Sequence, residues 1–152
     1  MIDLQTLHRV LRDGHTIAVV GLSAESHRPS YVVAQYMQEH GHRIVPVNPK
    51  YAEILGEKSY PDLASIPFAV DMVDVFRKPQ DCLSIAQQAI AIGAKTLWLQ
   101  IGVINEEARA LAEQAGLTVV MDRCVKIEHA RLFGSQSSTG SDNGIGSARR
   151  LG

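Results

Sequence analysis

The chain's most promising chemistry lies where an apolar run stops. Thr16-Ile17-Ala18-Val19-Val20 ends in Gly21-Leu22-Ser23, and Arg28-Pro29-Ser30 opens the next apolar series. A strand that leaves through glycine and serine into a helix is the arrangement by which α/β proteins hold a phosphate, because the first-turn amides of a helix have no partner within it. Gly21 permits a tight exit and close backbone approach, while Ser23 offers a hydroxyl and an amide. Gly21-Leu22-Ser23-Ala24-Glu25-Ser26 departs from G-x-G-x-x-G at its second and third glycines, so the dinucleotide fingerprint is incomplete. A plain turn glycine is the competing reading.

The end of the second apolar run narrows the ligand. A site for NAD commonly places a carboxylate there, whereas this chain carries Asn48-Pro49-Lys50. Lys50 can neutralise a phosphate as a point charge, and Arg77, after Val75-Phe76, can grip one with its planar fork. With Arg28, three cations point to a ligand bearing several phosphates, such as a 3′-phosphorylated adenine nucleotide or an NADP-like group. The plainer alternative makes them surface residues on loops. Phe76 either stacks on an adenine or fills the core, and Trp98, the only tryptophan, fits the core better than a ligand contact.

Other reactive side chains form no convincing centre. None of His8, His15, His27, His40, His42 and His129 falls in H-E-x-x-H or a comparably specific spacing, and His40-Gly41-His42 reads as a solvated helix end. Cys124 and His129 are too far apart on a regular helix for a nucleophile and base. Cys124 alone, beside Arg123, is either a packed cysteine or a thiol able to undergo disulfide exchange. Asp71, Asp74 and Asp122 show no paired acid and base; Asp74 is expected to orient a loop or hold Arg77, and Asp71 to lie on a helix-facing surface. No Walker A arrangement is present.

These groups need a scaffold that brings strand ends together. Helical spacing over Ile2 to Leu11 precedes a first strand at residues 16–20, then a helix from Pro29 to His40 and a second strand, Arg43 to Val47. Gly56 to Pro67 reads as a connection with a short turn or helical bracket at Tyr60-Pro61-Asp62-Leu63. Ala69 to Phe76 reads as strand three, Gln80 to Ile92 as a helix, Thr96 to Gln100 as strand four, a helix capped by Asn105, Leu117 to Met121 as strand five, and Cys124 to Phe133 as a last helix. Five strands alternating with helices predict an α/β, Rossmann-like doubly wound sheet of about five parallel strands with helices on both faces. In such a sheet all five strand ends border one crevice.

Composition sets the remaining bounds. The chain has 152 residues, of which 45% are apolar and 20% charged, with a net charge of −1. That suits one compact domain, expected at residues 1–133, and removes the electrostatic case for nucleic acid. Residues 134–152, rich in Ser, Gly, Asn and Asp, are expected to form a flexible tail. No run approaches the roughly 20 apolar residues of a membrane span. Two cysteines and no basic, apolar leader give the expectation of a cytoplasmic protein.

Six segments in register resemble the CoA-binding domain family, specifically its small single-domain bacterial members, over about residues 10–133. They are Val20-Gly21-Leu22-Ser23 with Arg28-Pro29-Ser30, Val45 to Lys50, Glu53 to Gly56, Val73 to Arg77, Trp98 to Val103, and Met121 to Cys124. A more distant similarity is to the N-terminal domain of the succinyl-CoA synthetase alpha subunit, whose first loop is richer in glycine. The resemblance implies coenzyme A or an acyl-CoA lying across the strand ends. It places Gly21, Leu22 and Ser23 in the first phosphate loop, Arg28 and Ser30 at the next helix start, and Asn48 and Lys50 after strand two. Val75, Phe76 and Arg77 fall after strand three and Gly102 after strand four. It implies no catalytic residue and no metal, and favours a stand-alone binding, carrier or sensor protein. An enzyme subunit, Cys124-dependent thiol–disulfide exchange with CoA, and a nucleotide-dependent interaction module are the alternatives; a protein partner or homo-oligomer is left open.

Overall fold

In a computed structural model, residues 2–134 are described. Seven strands, β1 (Thr16–Val20), β2 (Arg43–Val47), β3 (Glu53–Ile54), β4 (Glu57–Lys58), β5 (Met72–Val75), β6 (Thr96–Leu99) and β7 (Thr118–Met121), are joined by five helices: α1 (Leu4–Asp13), α2 (Pro29–Glu39), α3 (Cys82–Ala91), α4 (Glu106–Gln114) and α5 (Val125–Phe133). β3 and β4 form a small antiparallel pair, and the other five make a wholly parallel sheet in the order β2-β1-β5-β6-β7. Residues 135–152, which carry nearly all of the expected tail, lie outside the described residues; Gly134 caps α5.

The strand order explains the layering. From β1 the chain steps outward to β2, then returns past β1 to β5 and continues through β6 to β7. Right-handed crossovers made in opposite directions across a sheet put their helices on opposite faces. Accordingly Ala18, Val73, Val75, Leu97, Leu99 and Val119 pack with the apolar sides of α3 and α4. On the other face Ile17, Val19, Met72, Trp98 and Val120 pack with α1, α2 and α5. Both faces are covered, which is why the strands read as continuous apolar runs. Trp98 is fully buried.

Local chemistry refines several element ends. The missing N–H of Pro46 costs no bond to β1 because β2 is an edge strand, and its carbonyl accepts from the Tyr60 amide at 3.0 Å. The strand expected over Ala69–Phe76 is only Met72–Val75, and the helix expected from Gln80 begins at Cys82 after a 3₁₀ turn over Pro79–Asp81. The connection after β2 holds an unanticipated hairpin. Its two loop residues, Leu55 and Gly56, have φ of 56° and 76°, as a two-residue type I′ turn requires. The bracket near Tyr60 is a 3₁₀ turn over Leu63–Ser65, capped by Asp62.

Candidate functional site

The order reverses between β1 and β5, and in open α/β sheets the crevice at such a switch point, beyond the strand C-termini, receives the ligand. There the exits of β1, β2 and β5 are pressed together. Gly21 donates its amide to the Val47 carbonyl at 3.0 Å, and Phe76 donates to the Val20 carbonyl at 2.9 Å. Gly21 has φ of 86°, and a Cβ at this position would stand 2.4 Å from the Phe76 carbonyl oxygen and 3.0 Å from Arg77 Cδ. Only glycine fits, and the immediate reason is the neighbouring loop of the protein itself.

Beside this junction lies an open cleft of about 330 Å³ bordered by Gly21, Ser23, Glu25, Arg28, Pro29, Ser30, Asn48, Lys50, Tyr51 and Phe76. Three loops from distant parts of the sequence meet here, and a set of hydrogen bonds fixes them. Asn48 Nδ2 donates to the Leu22 carbonyl at 3.0 Å, locking the β2 exit to the β1 exit, while Asn48 Oδ1 accepts from the Lys50 amide. The Ser23 amide donates to Ser30 Oγ at 3.0 Å, and Ser23 Oγ accepts from the Glu25 amide. The amide expected to serve a phosphate from Ser23 is therefore committed to Ser30, and the Ser23 hydroxyl proton is what that residue has left to offer.

The free donors belong instead to the start of α2. Its N-cap, Arg28, makes no side-chain capping bond, and Pro29 at the first helical position has no N–H. Among the described residues, the amides of Ser30 and Tyr31 have no protein acceptor. In α1 and α4 the third amide, of Thr6 and of Ala108, is taken by the side chain of Asp3 and of Asn105, whereas in α2 the corresponding amide of Tyr31 stays open; α5, with Cys124 as N-cap, also lacks a side-chain cap. Arg28 is exposed and faces Glu25, with Nε 3.9 Å from the carboxylate. Lys50 has no ion-pair partner among the described residues. Two cations and an open helix N-terminus thus converge on one cleft, with one carboxylate among them.

Seven of the expected ligand residues, Gly21, Ser23, Arg28, Ser30, Asn48, Lys50 and Phe76, border this cleft, and four do not. Leu22 and Val75 are fully buried in the two cores. Gly102 lies on the β6 exit, where its amide donates to Asp122 Oδ1 at 2.8 Å. Arg77 is engaged by Asp81, with Nε and Nη2 at 3.2 and 3.1 Å from Oδ2, rather than by Asp74 as expected. Glu25, Pro29 and Tyr51 border the cleft without having been singled out. Tyr51 directly follows Lys50, and its aromatic character beside a basic strand exit was the available signal.

Of its two expected roles, Asp74 does not hold Arg77 but does orient a loop, through Gln100 at the β6 exit. It is buried on the α2 and α5 side of the sheet, in register with Val19 and Trp98, and its Oδ1 accepts from Gln100 Nε2 at 2.5 Å. Burial pushes its carboxyl up to about 7, against the opposing pull of the Gln100 bond. Asp71 anchors the other end of the sheet, where its Oδ2 accepts from the Thr16 amide. Cys124 is half-buried at the N-cap of α5 and does not border the cleft. Arg123 next to it is paired with Glu128 at 3.5 Å.

Four of the six histidines gather at the far end of α2, against α5; His40 and Gly41 are exposed, in line with the expectation of a solvated helix end, whereas His42 is half-buried. His15, His40, His42 and His129 border one cleft with Phe133. His129 is buried with its Nδ1 2.9 Å from the Tyr36 hydroxyl, and the rings of His40 and His42 lie 5.4 and 5.5 Å from its own. Burial, with the two neighbouring imidazoles, lowers His129 to about 4. Among the described residues no group of three or more His, Cys, Asp or Glu side chains is arranged to hold a metal. No helix among them is long and apolar enough to cross a membrane.

The comparisons agree with this architecture. The model of the CoA binding domain matches residues 15–130. The uncharacterized protein YneT of Bacillus subtilis is 39% identical over 124 residues, which cover 82% of this chain and 92% of the relative. A hypothetical protein from Pyrococcus horikoshii is 41% identical with a TM-score of 0.85, covering 88% of this chain and 94% of the other. The cell-free ID.343 structure from Thermus thermophilus is 36% identical with a TM-score of 0.83, covering 87% of this chain and 100% of the other. With most of its length matched, and with relatives of nearly its own size, the chain belongs to the CoA binding domain family.

Proposed function

We propose that this protein binds coenzyme A or an acyl-CoA in the cleft at the strand C-termini and acts as a stand-alone binding, carrier or sensor protein. The observation that carries the reading is the meeting, within a CoA binding domain, of Arg28, Lys50 and the unpartnered amide of Ser30 around one opening, with the open amide of Tyr31 next to it in the first turn of α2. The α2 N-terminus would take the pyrophosphate, since amide donors and helix dipole both favour an anion there. Lys50 and Arg28 would neutralise the remaining phosphate charge, with Phe76 and Tyr51 offering aromatic surface to the adenine. Arg77, held by Asp81, has a minor part. Gly102, Val75 and Leu22 shape the neighbouring strand exits.

Calorimetric titration of the reduced protein with CoA, with dephospho-CoA, NAD and NADP in parallel, tests this. One saturable site, tightest for CoA, is expected. Absence of CoA binding by folded, ligand-free protein would overturn the reading.

A further inference from the structure

Two of the large apolar side chains most exposed to water share one short loop on the rim of the crevice. Ile101 is 62% exposed and Ile104 48%, whereas Leu4, Val32 and Ile127 stand on separate helices. Isolated surface hydrophobes need no explanation, but a pair on one firmly held loop does. The loop is held on either side of each isoleucine. Gln100 is bonded to the buried Asp74, Val103 donates to the Gln100 carbonyl at 2.9 Å and is itself buried, and Gly102 is held by Asp122. Asp122 makes its bond from a left-handed φ of 62°, a conformation that side-chain-bearing residues adopt rarely. Asn105 Nδ2 donates to the Pro79 carbonyl at 2.9 Å, tying this loop to the segment that begins with Phe76.

The two isoleucines therefore stand over the β6 exit, one strand beyond β5, where strand spacing is about 4.8 Å. The charged half of the crevice lies the other way, over β1 and β2. On the β5 to β7 side the arginines are paired, Arg77 with Asp81 and Arg123 with Glu128, and Lys78 is exposed without an ion-pair partner among the described residues.

Resting on the CoA reading above, we propose that Ile101 and Ile104 receive the hydrocarbon chain of an acyl-CoA, so that the ligand class is an apolar acyl thioester and not free CoA. A patch of two side chains falls far short of the roughly 1,200 Å² that a stable protein interface buries, which favours a chain of this size over a second protein.

The test is calorimetric titration with CoA, butyryl-CoA and octanoyl-CoA at concentrations below micelle formation, on the wild type, Ile101→Ser and Ile104→Ser. Affinity in the wild type is expected to rise with chain length, octanoyl-CoA binding at least tenfold tighter than CoA, and this ratio to fall to about two or less in each variant. A wild-type ratio near one, with CoA bound, would overturn the acyl inference and leave the CoA reading standing. A ratio preserved in both variants would overturn the assignment to this loop. Binding of none of the three would remove both. Sedimentation velocity on the same samples covers the remaining occupant: a wild-type dimer dispersed by Ile101→Ser would assign the patch to self-association and overturn the proposal.

Discussion

Helices α2 and α5 each run between two ends of the molecule that handle polar groups in opposite ways. At the strand C-termini the first turn of α2 keeps two amides without an acceptor, and Lys50 stands unpaired beside them. At the far end His40 donates from Nδ1 to the Tyr36 carbonyl at 2.7 Å, His42 lies between the carbonyls of Met37 and Leu11, and His129 is bonded to Tyr36. One end has its hydrogen-bonding capacity turned outward and the other has it turned inward. Polar residues at the first should govern ligand affinity, and those at the second should govern stability.

The junction beneath the first end is where the comparison breaks most severely. Gly21→Val puts a side chain within 2.4 Å of the Phe76 carbonyl and holds a β-branched residue at positive φ. A loss of about 3 kcal/mol or more in stability is expected, along with loss of CoA binding. Thermal unfolding with and without CoA checks both: a variant as stable as the wild type would refute the close approach of the two strand exits.

The two ends also titrate in opposite senses. Asp74 keeps its proton to about 7 in the folded state but loses it near 3.8 when unfolded, so its contribution is complete below 3.8 and is lost as pH rises through 7. His129 is protonated near 6.5 when unfolded and only near 4 when folded, so its contribution is present above 6.5 and lost as pH falls through 4. Between about 4 and 6.5 the two slopes, each about 1.4 kcal/mol per pH unit, oppose one another. Asp74→Asn, which retains an acceptor for Gln100, should make stability fall toward acid more steeply than in the wild type. His129→Leu should tilt the profile the other way, with His42, also lowered by burial, still pulling in the original direction. Urea unfolding at three pH values in this window reads both slopes, and unchanged slopes would contradict the burial of these groups.

Much of this was legible in the chain. β1, β6 and β7 are apolar runs bounded by turn residues, and their alternation with helices specifies a parallel sheet before any contact is known. Gly21 and Lys50 were legible as strand-exit residues because the fold gathers such exits. The hairpin was not, since Leu55-Gly56 carries no Asn-Gly or Asp-Gly signal. Nor was the partner of Arg77: Asp74 and Asp81 are both near in sequence, but the strand turns Asp74 into the interior while the 3₁₀ turn brings Asp81 alongside. The histidine cluster joins positions 40 and 42 to 129, a separation at which periodicity carries no information.

Smaller effects sharpen the contrast among the cations. Lys50→Ala and Arg28→Ala should each weaken CoA about tenfold, near 1.4 kcal/mol, and whichever side chain reads the 3′-phosphate should lose less with dephospho-CoA. Equal losses with both ligands would reject that assignment. Arg77→Ala should change CoA affinity by about twofold or less, because its guanidinium is occupied by Asp81. His129→Leu should lower stability by about 1–2 kcal/mol at neutral pH and leave CoA affinity unaltered, which calorimetry and thermal melting separate.

Placement of the ligand at the outward-turned end is tested most directly by titrating CoA into isotope-labelled protein and following backbone amide shifts. The largest changes should fall on Gly21, Ser23, Ser30, Tyr31 and Lys50, with the amides of His40, Gly41 and His42 little moved. Saturable shifts centred on the histidine cleft, with the α2 N-terminus unmoved, would contradict the assignment of the site.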